Sequence, residues 1–154
     1  MAHVDSERKA RLVNKINETM NEMGVKLKFE AKVLGKRTSL KIQIYGCSEH
    51  LILNYIETAQ SKLKEAIELE CDSFSIYQDR ISRAQNLSEF NPLLFKLDKL
   101  DEYFSGHALN VVQAAKNALC SEYYTSNDMH STYDVAYGFS LEIGGSSKGF
   151  TVLK

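Results

Sequence analysis

The chain of 154 residues has no tryptophan, one proline and three cysteines, and each scarcity excludes a class of protein. The single proline, Pro92, leaves no room for proline-rich linkers or low-complexity tails. Cys47, Cys71 and Cys120 are odd in number and lack CxxC spacing, which argues against a disulfide framework and a zinc knuckle. We therefore predict reduced, mostly buried thiols, and neither a metal nor a cofactor.

Long apolar runs are also missing. A run such as 92–95 spans only a few residues, whereas a helix needs about 20 apolar residues to cross a bilayer. The first residues, Met-Ala-His-Val-Asp-Ser-Glu-Arg-Lys, lack the apolar core of a secretion signal. From these two absences we expect a cytoplasmic protein that does not contact membranes.

Charge is balanced over the whole chain but unevenly distributed along it. The formal net charge is -1, yet residues 1–46 hold ten basic and five acidic side chains, and the remainder holds nine and fifteen. Such polarity either steers a charged partner or helps the two parts of the chain pack together. The 44% hydrophobic and 25% charged content is typical of one globular domain, here residues 1–154, with a single core.

The hydrophobic pattern of the first half predicts helix, hairpin and helix in that order. Apolar residues three and four apart indicate amphipathic helices over 6–23 and from 48 to about 70. Between them the period changes to two, which predicts a β-hairpin over 25–33/38–46 with a turn at Gly35-Lys36-Arg37. One face of this hairpin is apolar and the other is polar and basic.

The second half predicts more helices and then a second hairpin. Phe74 and Ile76 alternate briefly like a strand, and a short helix is expected at 79–87. Asn91-Pro92 is typical of a helix start, and we expect this helix to end at Gly106 and another to follow directly, to about 119. A long alternation and a glycine-rich turn then predict a hairpin over 132–143/149–154. The expected class is α+β, an antiparallel sheet of two hairpins with four to five helices packed mainly on one face.

The basic face of the first hairpin is the main candidate site. Lysines attract phosphates, a two-stranded ribbon fits a major groove, and a tyrosine can stack on an unpaired base. An acidic protein partner would meet the same surface, and lysines also keep exposed strands from aggregating. The candidate residues for nucleic acid or an acidic partner are Lys26, Lys28, Lys32, Lys36, Arg37, Lys41 and Tyr45.

Two other groups of residues are candidates for contact with a protein partner. The outer face of the second helix is acidic, and two tyrosines next to a polar loop bring apolar area with a polar tip. These residues are Glu49, Glu57, Glu65, Glu68, Tyr123 and Tyr124. A homodimer is also open, because the basic hairpin of one copy would meet the acidic helix of another.

Patterns that would indicate catalysis or metal binding are incomplete. The loop 144–149 contains Lys148 but lacks the Walker order and precedes a strand. Asp128 with His130, and Cys47 with His50, have ligand-like spacing without a second cluster to complete four ligands. We find no positive reason in the sequence to predict an enzyme.

The sequence therefore predicts a small intracellular binding module that docks on a macromolecular partner without catalysis of its own. An inhibitor, an adaptor or a regulatory subunit fits this description. The alternative is a nucleic-acid-binding protein that uses the basic hairpin 25–46.

Overall fold

The computed structural model describes residues 4–87, 92–122, 137–144 and 149–154. The α-helices are α1 (Ser6–Glu22), α2 (Leu51–Glu68), α3 (Phe74–Gln85) and α4 (Gly106–Leu119), and a 3-10 helix covers Leu97–Glu102. The strands are β1 (Leu27–Leu34), β2 (Ser39–Cys47), β3 (Leu93–Leu94), β4 (Gly138–Ile143) and β5 (Thr151–Val152). The predicted α+β class is confirmed.

The helix α1 and the first hairpin form as the local pattern predicts. The Asp5 side chain caps α1 by accepting from the Arg8 N–H at 2.7 Å, and the apolar stripe of the helix is buried. The strands β1 and β2 pair antiparallel from Leu27↔Cys47 to Leu34↔Ser39. Their turn contains Gly35, Lys36 and Arg37, all with positive φ.

The sheet is mixed, so the predicted purely antiparallel arrangement is wrong. Strand order is β1-β2-β4-β3, and β4 runs parallel to β2 and antiparallel to β3. The short β5 also pairs parallel to β2, at Gly46↔Thr151, beyond the end of β4. Because β4 and β5 lie end to end along one side of β2, they do not form the predicted hairpin 132–143/149–154. Alternation predicts which residues form strands but not which strands pair.

A helix was predicted from Asn91 to Gly106, but the described residues from Pro92 onward form a short strand, β3, followed by the 3-10 helix. Leu93 pairs with Ile143 as part of β3 and is buried there. Leu100 and Phe104 would continue a helical apolar stripe with Leu93, and both are buried, so the apolar spacing of this segment indicates burial. The error arises because an edge strand and a helix can bury the same residues.

The predicted helix 79–87 is confirmed through residue 85, but α3 begins earlier, at Phe74. Phe74 and Ile76 are helical and exposed, so their brief alternation did not indicate a strand.

One core connects the sheet to the helices. The helices α1 and α4 contact each other, and their buried residues join those of β2 and β4 in one cluster. The pair α2 and α3 contacts the rest through aromatic rings, with Tyr55 stacked 5.9 Å from Tyr103 and Phe104 packed edge-on 5.7 Å from Tyr55. No helix in the described ranges is long and apolar enough to cross a membrane.

Candidate functional site

The strand β1 lies at the edge of the sheet. It pairs with β2 and with no other strand in the described part of the chain. The eight residues of β1 therefore present one side of their main chain to β2 and the other side away from the sheet. An edge strand of this length is a template on which another strand can pair.

The direction of the main-chain groups follows from the hydrogen bonds of β2. The carbonyls of Thr38 and Ile44 accept from Gly138 and Gly144 at 2.8 and 2.9 Å, so even-numbered residues of this part of β2 face β4. The odd-numbered residues then face β1, where Lys41 opposes Lys32. Groups alternate along a strand, so even-numbered residues of β1 bond to β2 and odd-numbered residues point outward.

The outward main-chain groups of β1 belong to Leu27, Phe29, Ala31 and Val33. Among the described residues, no backbone hydrogen bond to these groups is present. Their side chains face the core, where they are half-buried. The edge therefore offers main-chain donors and acceptors directly beside apolar surface.

A groove of about 410 Å³ lies between α1 and this edge. Val13 of α1 and Leu27, Phe29 and Ala31 of β1 form its apolar lining. Its polar lining includes Lys9 of α1 and Lys28 of β1. The sequence analysis missed this groove, because the strand order that exposes β1 and the packing of α1 beside it are not local properties.

The structure separates the predicted residues of the hairpin site into two groups. Lys41 is half-buried and its Nζ lies 3.0 Å from Oε1 of Glu142, while Tyr45 is half-buried and already makes a contact within the chain. The exposed residues are Lys26, Lys28, Lys32, Lys36 and Arg37. Lys26 also donates from Nζ to the carbonyl oxygen of Lys154 at 2.6 Å. The exposed cations thus follow the length of the hairpin.

The polar face of the sheet contains a buried cluster that alternation did not predict. Gln43 donates from Nε2 to Oε1 of Glu142 at 2.5 Å, and these two side chains are only 3% and 6% exposed. Lys41 pairs with the same carboxylate. A buried carboxylate needs such partners, so Lys41 has a structural role and is a poor candidate for contact with a ligand.

The predicted acidic face of α2 does not form a continuous patch. Glu57, Glu65 and Glu68 are exposed, but the exposed Lys64 lies among them. Glu49 precedes the helix, and its Oε1 lies 2.6 Å from Nδ1 of His107. Tyr123 and Tyr124 lie outside the described residues.

Among the described residues, the candidate metal ligands and thiols do not form a metal site. His50 uses Nδ1 to accept from the Leu53 N–H at 3.1 Å, as a cap of α2. Burial raises the pKa of the Cys47 thiol and of the half-buried Cys120 thiol. Cys71 is exposed. The prediction of mostly buried thiols therefore holds for Cys47 alone. In the described ranges no three His, Cys, Asp or Glu side chains cluster to hold a metal. Residues 128, 130 and 148 lie outside those ranges.

Exposed apolar residues gather near the connection between α2 and α3, which the sequence analysis did not anticipate. We call Ile67, Leu69, Phe74 and Ile76 the helical tip; they are 59%, 66%, 42% and 53% exposed. The apolar spacing of α2 would place Ile67 in the buried stripe of that helix. The preceding residue, Ala66, is buried, but Ile67 itself is exposed.

Comparison with protein families, curated proteins and solved structures finds no match in any of the three.

Proposed function

We propose that the protein is a binding module that docks on a protein partner through the open edge of β1. The observation that supports this is the outward row of main-chain groups at Phe29, Ala31 and Val33, beside the apolar groove under α1. Strand addition to an exposed sheet edge is a common mode of peptide recognition, because main-chain hydrogen bonds supply affinity and adjacent side-chain pockets supply specificity.

The β1 edge combines several features that favour binding, whereas the acidic residues of α2 and the helical tip each offer one. The acidic residues of α2 are interrupted by Lys64, and the helical tip is apolar without oriented polar groups. At β1, by contrast, main-chain donors and acceptors, apolar surface and cations lie within one groove. An inhibitor, an adaptor or a regulatory subunit would act by such docking alone, and we assign no catalysis to the chain.

Site-specific photo-crosslinking tests this proposal. A benzophenone amino acid replaces Lys28 on the edge strand, and in a matched variant it replaces Lys64 on α2; both side chains are exposed. In cells of the source organism we expect a protease-sensitive, nuclease-resistant adduct from position 28 that position 64 does not give. The change Ala31→Pro should remove that adduct. Equal crosslinking from both positions, or an adduct that survives Ala31→Pro, would contradict docking on the edge.

Nucleic-acid binding by the hairpin is a second candidate, favoured by its five exposed cations. If Lys26, Lys28, Lys32, Lys36 and Arg37 each contact a duplex phosphate, the log-log dependence of affinity on salt has a slope of roughly four to five in magnitude. Fluorescence anisotropy with labelled DNA and RNA at about 50 and about 200 mM salt measures this slope. Lys28→Glu combined with Lys36→Glu should abolish the binding, and unchanged affinity would exclude this candidate.

A further inference from the structure

We infer that the partner of the β1 edge is an extended segment of alternating apolar and acidic residues, about seven residues long. This inference rests on the proposed function and adds the chemistry of the occupant. Three features of the groove support it: the direction of the main-chain groups, the apolar surface on the α1 side, and the sign of the surrounding charge.

The main chain determines the conformation and the length of the segment. The outward groups recur at every second residue from Leu27 to Val33, and only an extended chain can place donors and acceptors at that repeat. Pairing over this stretch requires about seven residues in the partner.

The apolar surface determines the side chains on the core-facing side of the partner strand. Residues of an added strand point alternately to the two faces of the sheet. Those on the core-facing side would lie against Val13 of α1 and against Phe29 and Ala31 of β1, all half-buried at present. Apolar side chains at these positions would complete the burial of this surface.

The charge at the edge determines the side chains on the opposite face of the partner strand. Lys28 and Lys32 lie on the exposed face of β1, and no ion pair to these two lysines is present among the described residues. Within β1 itself the only acid is Glu30, which already makes a contact within the chain. Acidic side chains in the partner would meet this excess of positive charge, as opposite charges on neighbouring strands do.

A second copy of the chain fits the edge less well than an acidic segment. Its β1 strand would bring the same lysines to the pairing, and lysines on an edge strand are a known obstacle to self-association. The same residues therefore oppose pairing with a copy and favour an acidic partner.

A peptide titration tests the inference. The probe is an eight-residue capped peptide of alternating glutamate and valine, and the matched control has lysine in place of glutamate. On addition of the probe to ¹⁵N-labelled protein, hydrogen exchange should slow at the outward amides of Phe29, Ala31 and Val33. The amides of Glu30 and Lys32 already bond to β2 and should change little.

Variants separate the main-chain contribution from the charge. Ala31→Pro removes an outward N–H without removing a bond to β2, and an edge strand tolerates proline at such a position. Because the outward N–H is lost, the probe should no longer protect the edge. Lys28→Glu combined with Lys32→Glu should weaken probe binding by about fivefold or more, whereas Lys64→Glu on α2 should not. If the proline variant fails to fold, the charge variants still decide the outcome.

The failures of the two proposals can be told apart. If both peptides slow exchange at the edge equally, the edge binds strands without charge selection, and the inference of an acidic partner is wrong while the proposed function stands. A second outcome is that neither peptide protects the edge, while the crosslinked adduct at position 28 is still lost on Ala31→Pro. In that case the partner at this edge has another chemistry, so the inference is wrong and the proposed function stands. If both experiments are negative, both proposals fall. Concentration-dependent protection of these amides without peptide would identify a second copy as the occupant and overturn the inference.

Discussion

The sheet with α1 and α4 differs from the pair α2 and α3 in how apolar residues are used. Leu12 and Ile16 of α1 are fully buried against the sheet, whereas Ile67 and Leu69 at the helical tip are 59% and 66% exposed. Burial of apolar area is the main source of folding free energy, so the first region is the scaffold of the molecule. The second region contacts the scaffold at its base, around Tyr55 of α2 and Arg80 of α3.

Besides buried residues in the common core and hydrogen bonds of Asn54 and Thr58 with Ser105, aromatic rings and one arginine connect the base of α2 and α3 to the scaffold. The Arg80 guanidinium lies 4.3 Å from the centre of the Tyr103 ring, with its Nη1 3.4 Å from the carbonyl oxygen of Glu102. Tyr103 in turn stacks on Tyr55, and burial raises the pKa of Tyr55 to about 12. Segments tied to a protein at one end open locally at lower free energy than its core. We therefore expect the two regions to differ in local stability.

The largest effect should come from shortening one isoleucine in each region. Ile16→Ala removes a fully buried side chain from the scaffold and should lower the free energy of unfolding by about 2 to 5 kcal/mol. Ile67→Ala removes an exposed side chain from the tip and should change it by less than about 0.5 kcal/mol. Urea denaturation measures both. Equal losses would show that the tip is buried in solution and would end the contrast between the two regions.

An intermediate effect is expected at the base of the helical pair. Arg80→Ala removes the contact with Tyr103 and the packing of the long side chain, and should cost about 1 to 2 kcal/mol. Hydrogen exchange should accelerate in α2 and α3 while α1 and β2 keep their protection. Arg83→Ala is the matched control, because Arg83 is 69% exposed and pairs only with Asp79 among the described residues. Uniform acceleration over the whole chain would mean that the two regions unfold together.

The contrast between the regions also explains which features could be predicted from sequence. The helices α1 and α4 and the first hairpin are encoded by local periodicity, because each buries a stripe or face against the sheet. The parallel pairing of β4 with β2 joins residues such as Ile42 and Leu141, which lie far apart in the chain, and no local pattern indicates it. Within the tip, Ile67 was expected to be buried because it continues the apolar spacing of α2, but it is exposed.

The candidate site was predicted only in part for the same reason. Alternation of apolar and polar residues predicted that the lysines of the hairpin, including Lys28 and Lys32, lie on its polar, basic face. Whether β1 lies at an edge depends on the order of the strands, and the groove depends on where Val13 packs. The ion pair of Lys41 could not be predicted because its partner, Glu142, belongs to a distant strand.

The smallest effect should come from the ion pairs that tie α1 to the residues after α4. Glu122 accepts from the Arg11 side chain at 2.8 Å and from Nε of Arg8 at 3.2 Å, and the bond to Arg11 is the main reason that the pKa of Glu122 lies below its usual value. A carboxylate with a lowered pKa stabilises the fold above its unfolded-state pKa, and this stability is lost as pH falls through the folded pKa. Glu122→Gln should therefore lower Tm slightly at neutral pH and leave it unchanged in acid.

Thermal unfolding at several pH values checks this, with Glu18→Gln on the exposed surface of α1 as the control. High salt should shrink the difference at neutral pH, since surface charges are screened. A loss as large as that of Ile16→Ala would mean that ion pairs rather than the core hold α1 in place. A small, pH-dependent loss would leave the buried stripe of α1 as the element that positions the groove beside β1.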